Sequence, residues 1–295
     1  MTTIISVPSS LDDQSFEHIF DQLAALPPDE KILVDARRTR WSSPYGLTAL
    51  LAVAQTRLER PALAVPEHED TASYWARASF FRHAATVYEI SGKVPRTRSS
   101  GESSVLLEVT PVSQTADIHT VVENIQQRAQ FILQERLHLE SSVTMRFTMA
   151  LSEVCQNVIE HAGTGGWVAV QAYRWQQQTG RSVVVIAVCD AGMGFRKSME
   201  SSQGPRLTDR WDDGMALEET VMKGATRFRD PGRGQGLAGV RRFIGKWHGK
   251  FSVRSGTARI AVVPVWDDDV PLKEDLPSFP GAQVQLTIPE KFPDK

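Results

Sequence analysis

The sequence predicts an α/β protein of two successive α/β domains. Three observations carry this reading. Strand-like and helix-like apolar patterns alternate through residues 1–90. A polar Ser/Gly-rich stretch at 91–104 breaks every periodicity. A second series of strands and amphipathic helices then runs over 105–295.

In order, Thr3–Val7 reads as a strand and Ser15–Ala25 as a helix. Lys31–Asp35 is a buried-strand run, followed by a helical stretch from Gly46 to Leu58. Ala62–Val65 is strand-like again, and one helix is expected over Thr71–His83. Beyond the linker, Val105–Val109 is a strand and Asp117–Leu137 a long helix. Ser142–His161 places Val143, Phe147, Leu151, Val154 and Val158 at helical spacing, and Gly163–Gly166 ends it. Strands follow at Trp167–Tyr173, Ser182–Cys189, Lys250–Arg254, Ala258–Val263 and Gln283–Ile288. The stretch 264–280, with Trp266 and Asp267–Asp269 among four prolines, reads as a solvated insertion without assignable chemistry.

Composition narrows the function classes. The 295 residues carry 33 Lys plus Arg against 35 Asp plus Glu, which argues against an obligate nucleic-acid binder. No apolar run is long enough to cross a bilayer, and the first residues lack a secretory layout, so a cytoplasmic protein is expected. The two cysteines, Cys155 and Cys189, lie in apolar runs without metal-ligand spacing and read as buried, reduced thiols. The basic residues Arg241, Arg242, Lys246, Lys250 and Arg254 read as solvated helix residues or a surface for an acidic partner.

Three segments carry chemistry, and their order points to a nucleotide site. Glu153 and Asn157 sit one helical turn apart and leave the same face, offering a base and an uncharged oxygen donor. That donor suits Mg²⁺, a hard cation that shares phosphate oxygens with few protein groups. Asp190 closes an apolar strand ahead of Gly192 and Gly194, where an acceptor could meet the exocyclic amine of adenine. Gly232, Arg233, Gly234, Gln235, Gly236 and Leu237 open a helix-like run, so their amides could cradle phosphates, with Lys223 and Arg229 nearby. The Walker ending is absent, and the loop does not follow a first strand as in a dinucleotide fold. Each segment taken alone also has a plain reading: surface polars on a helix, an Asp-Gly turn, a glycine linker.

Together the segments resemble the GHKL superfamily of ATPases and kinases, the Bergerat ATP-binding fold, over about Val105–Ile288. Ala150–His161 is similar to the N box, especially as written in anti-sigma-factor serine kinases, Asp190–Gly194 to the G1 box and Gly232–Leu237 to the G2 box. The resemblance implies a mixed sheet covered by helices on one face, ATP and Mg²⁺ as cofactors, Glu153 as catalytic base, Asn157 as the Mg²⁺ ligand and Asp190 as adenine reader. It also implies a mobile lid between Arg196 and Pro231. Ala282 follows Gly281 where family members often carry Gly-Thr, so a side-chain hydroxyl is missing there.

Lys31–Asp35 and Ser42–Leu51 resemble the strand-loop-helix of STAS domains, the anti-sigma antagonist modules. Pro44 stands where those antagonists carry their phosphoacceptor, and Ser42 and Ser43 just upstream read as helix caps. His138 and His119 leave no room for a phosphoacceptor hairpin, which sets autophosphorylation on His aside. The expected protein is therefore an ATP-dependent serine/threonine kinase or switch acting on a protein partner such as an STAS or sigma-factor-like regulator. A hydrolysing ATPase that closes its lid and dimerises, or a nucleotide-sensing scaffold, are the other readings.

Overall fold

The computed structural model describes residues 2–96, 103, 105–113, 118–175, 180–203, 211–224 and 236–290. It is α/β throughout. The first half runs β1 (Thr3–Ser6), β2 (Ser10–Leu11), α1 (Glu17–Ala24), β3 (Ile32–Asp35), β4 (Trp41–Ser42), α2 (Pro44–Gln55), β5 (Ala62–Ala64), α3 (Glu69–Arg77), α4 (Phe80–Val87) and β6 (Glu89–Ser91). Its four-stranded sheet has the order β1-β3-β5-β6 with every pair parallel, and helices make each crossover.

The expected helix over Thr71–His83 is two helices. The break falls at Ser79, whose φ of 56° is left-handed. Apolar spacing continues through that point without Gly or Pro, so the sequence carries no stop signal. The bend lets Trp75 meet Phe80 edge to face, with ring centroids 4.7 Å apart, and Phe81 at a tilt at 5.9 Å.

The second half continues with β7 (Leu106–Val112), α5 (Ile118–Leu137), α6 (Ser141–Asn157), a π turn over Val158–Ala162, β8 (Gly166–Trp175) and β9 (Arg181–Asp190). Then come α7 (Gly194–Gln203), α8 (Asp213–Leu217) with a π turn over Glu218–Met222, α9 (Gly236–Lys246), β10 (Lys250–Gly256), β11 (Ala258–Val262), β12 (Leu272–Lys273) and β13 (Phe279–Pro289). The seven strands are ordered β12-β11-β10-β13-β9-β8-β7. Every neighbouring pair is antiparallel, where a mixed sheet was expected. The helical crossover from β9 to β10 does make those two strands run the same way. β13 lies between them, antiparallel to both, so no parallel pair forms.

Side-chain alternation splits this sheet into two faces. Val184, Ile186, Val188, Val253 and Leu286 share one apolar core with Ile125, Ile132, Phe147, Val154 and Ile244 of the helices. The opposite face is covered too, by the first half of the chain. Helix α2 is buried from Pro44 to Ala54, and a helix that is apolar all round must lie between two layers. Leu47, Leu50 and Leu51 share a core with Trp167, Ala169, Ala187 and Cys189, and Thr48 Oγ1 donates to Cys189 Sγ at 3.2 Å.

Over β10 and β13 this second face is polar. Lys250, Ser252, Arg254, Gln283, Gln285 and Thr287 are all buried there. Two expectations change as a result. Lys250 and Arg254 are not surface residues: Arg254 makes a bidentate pair with Glu17 at 2.8 and 3.1 Å, and Lys250 pairs with Asp267 and Asp269 at 3.0 Å each. The insertion at 264–280 is not merely solvated. Asp269 also pairs with Arg259, and β12 extends the sheet beside β11. Burial opposes ionisation of Asp269, but Arg259 and Lys250 outweigh it and hold its carboxyl well below the usual range.

Candidate nucleotide site

The site is built where α6 ends and β9 runs out. Helix α6 buries Phe147, Leu151 and Val154 against the sheet, which turns Glu153 outward and leaves Asn157 half-buried. The helix then widens into its π turn, a feature common near functional sites, and stops at Gly163 with φ 76°.

That end closes against the Asp190 turn. Met193 N–H donates to the Ala162 carbonyl at 3.2 Å. A Cβ on Gly192 would come within 2.1 Å of the same oxygen, so the approach requires glycine. The Gly192 amide donates to Asp190 Oδ1 at 2.8 Å. Gly281, at φ 81°, sits on Asp190 from the other side, where a Cβ would lie 2.3 Å from the Asp190 carbonyl oxygen. Burial pushes the Asp190 carboxyl up to about 7, against the lowering pull of the Gly192 and Ala282 amides.

Two further residues hold this turn. Ser255 Oγ donates to the Gly281 carbonyl at 2.7 Å and accepts from Phe195 N–H at 3.2 Å. Gln283 Nε2 donates to the Asp190 carbonyl at 2.9 Å. Neither lies in a recognisable motif, and both sit in strands that mix polar with apolar residues, so the sequence gives them no signal of their own.

The structure brings Asp190, Gly192 and Gly194 to the end of the helix that carries Glu153 and Asn157. Gly232, Arg233, Gly234 and Gln235 lie outside the described residues, as do 204–210 and 225–231 of the expected lid and the side chain of His161. Gly236 is the first residue of α9, and Leu237 is buried in the core that holds Val154. Phe243 packs α9 on α6 through Phe147, ring centroids 4.5 Å apart. Lys223 pairs with Glu219 at 2.5 Å. Cys155 and Cys189 are buried free thiols, and burial pushes the Cys155 thiol up to about 12.

A family model, the histidine kinase-, DNA gyrase B- and HSP90-like ATPase, matches residues 142–291. The chain belongs to this family. The match runs from the first turn of α6 past the end of β13, and so takes in Glu153, Asn157, Asp190 and the glycine loop. A comparison with curated proteins finds no match. Membership implies an ATP-binding ATPase or kinase domain, usually one that works with Mg²⁺. Among the described residues no cluster of three or more His, Cys, Asp or Glu side chains could hold a metal. The donor set nonetheless fits Mg²⁺, because a nucleotide-bound Mg²⁺ takes most of its oxygens from phosphate and water and needs few from protein. No helix among the described residues is long and apolar enough to cross a membrane.

Proposed function

We propose that the chain binds ATP with Mg²⁺ and acts on a protein partner as an anti-sigma-type serine/threonine kinase or ATP-dependent switch. The observation that carries this reading is the pairing of a deeply buried acceptor with an exposed base on one ATPase domain. Asp190 is 3% exposed, while Glu153, on the helix that closes over its turn, is open to solvent.

In this reading ionised Asp190 accepts a hydrogen bond from the exocyclic amine of adenine, and Gly192 and Gly281 let backbone come close to the base. Amides of the 232–236 loop bind the phosphates at the start of α9. Asn157 offers its carboxamide oxygen to Mg²⁺, which when bound neutralises charge on the phosphates. Glu153, exposed, accepts the proton of an incoming hydroxyl, which a partner's Ser or Thr can bring to it. The STAS-like first half supplies partner recognition or restrains the ATPase domain through its grip on the back of the sheet.

The test follows ³²P from γ-labelled ATP into a candidate STAS-type partner, with the native chain and Glu153→Ala. Transfer by the native chain that disappears in Glu153→Ala, with ATP binding retained, supports the kinase reading. Steady phosphate release without transfer favours the ATPase, and binding without either favours the nucleotide-sensing scaffold.

A further inference from the structure

A cavity of about 640 Å³ lies on the opposite face of the large sheet from α6, between that sheet and the first half of the chain. This is the size of a small-molecule site. Its floor is the polar face of β13 and β10, its second wall the β2–β4 corner, and its third side the insertion around Trp266.

The floor holds an amide oxygen and a hydroxyl without partners. Gln285 is 6% exposed and Thr287 1%, and both line the cavity. Neither Gln285 Oε1 nor Thr287 Oγ1 has a hydrogen-bond partner among the described residues. Buried polar atoms are nearly always satisfied, so open polar atoms on a cavity floor point to groups brought by a ligand, and the Gln285 oxygen takes only a donor. Asp13 Oδ2 lies 3.8 Å from both Lys250 Nζ and Arg259 Nη1, and the Asp13 carboxyl also accepts from the Gln285 side chain.

The walls are aromatic. Trp41 and Tyr173 meet at a tilt with centroids 5.8 Å apart, and Trp175 and Trp266 meet edge-on at 6.0 Å. Charge at the lining is negative. Lys250 is committed to Asp267 and Asp269, and Arg174 is the other lining cation, exposed at the mouth. Among the described residues Asp12 and Asp268 line the cavity without an ion pair. Indole and phenol faces attract cations, carboxylates attract them at longer range, and the floor asks for N–H donors.

We propose that this cavity is a second ligand site, distinct from the nucleotide site, for a small organic cation that carries N–H donors on an apolar or planar body. Neutral polyols lack the charge, and tetraalkylammonium ions lack the donor that Gln285 Oε1 requires.

Calorimetry on the full chain, without nucleotide, tests this with tyramine and agmatine as cationic donors, tetramethylammonium as a cation without a hydrogen-bond donor, and glucose as a neutral control. Tyramine or agmatine should bind at least tenfold more tightly than tetramethylammonium, with no heat from glucose. Gln285→Leu and the exposed Asp268→Asn should each weaken that binding several-fold. Asp268 is exposed and makes no ion pair among the described residues, so Asp268→Asn reports even where Gln285→Leu fails to fold. Absence of binding by both amines, equal binding of tetramethylammonium, binding of glucose, or indifference to Asp268→Asn would each overturn the assignment.

Discussion

The two faces of the seven-stranded sheet are held by different physics. On the helix side, Val184, Ile186, Val188 and Leu286 share one apolar core with the helices. On the other side the same strands present Cys189 and Ala187 to α2, but Arg254, Lys250, Gln283 and Gln285 to the acidic corner of the first half and the 267–269 loop. An apolar face gains stability from any well-packed neighbour. A buried polar face is stable only with the partners that match it, so it constrains which element may dock and in what register.

Removing apolar volume from the first face should have the largest effect. Phe147→Ala deletes a fully buried ring that touches Phe243 and Trp247 and should cost about 3–5 kcal/mol, read by urea denaturation. Arg254→Ala on the second face should cost a similar 3–5 kcal/mol, because it strands Glu17 and removes a guanidinium lying 4.1 Å over the Phe20 ring. The faces separate in the double variant. Arg254→Met with Glu17→Leu should recover most of the loss, since no unpaired charge remains. A double variant as unstable as Arg254→Ala would mean that the ion pair itself, rather than its stranding, sets the cost.

Asp190 lies between the two regimes, a buried carboxyl with no cation partner among the described residues. Its folded value of about 7 exceeds the ordinary 3.8. The folded chain thus binds the extra proton between these values, and stability falls as pH rises through that window. Above pH 7 the ionised group costs about 4 kcal/mol. Asp190→Asn keeps an acceptor for Gly192 N–H and should raise the melting temperature at pH 8, with little change near pH 4, while losing ATP. Such a trade of stability for binding is expected of a site residue. The smallest effect belongs to Ser43→Ala. Ser43 caps α2 by accepting from Gly46 N–H at 3.2 Å, so its loss should cost about 1 kcal/mol in the same denaturation assay.

The apolar face was the legible one. Helical spacing of Phe147, Leu151 and Val154 and the unbroken run from Val183 to Cys189 mark α6 and β9 directly in the sequence. Glu153, Asn157 and Asp190 could be put forward as candidates because their types and spacing are local. Ser255, Gln283 and Gly281 support Asp190 from strands distant in sequence, and only the antiparallel register of β9, β13 and β10 brings them to it. The polar face was misread for the same reason. Lys250 and Arg254 look like surface cations until Asp269 and Glu17, the latter 237 positions away from Arg254, are folded onto them. The break at Ser79 rests on ring packing that no local signal announces.

The most direct test of the central claim is calorimetric titration of ATP, at saturating Mg²⁺, into the native chain and Asp190→Asn at pH 6, 7 and 8. The account predicts that native affinity rises about tenfold from pH 6 to pH 8, as the carboxyl with its value of about 7 ionises, and that Asp190→Asn does not bind at any pH. Absence of binding by the native chain, or equal binding by Asp190→Asn across the series, would contradict it.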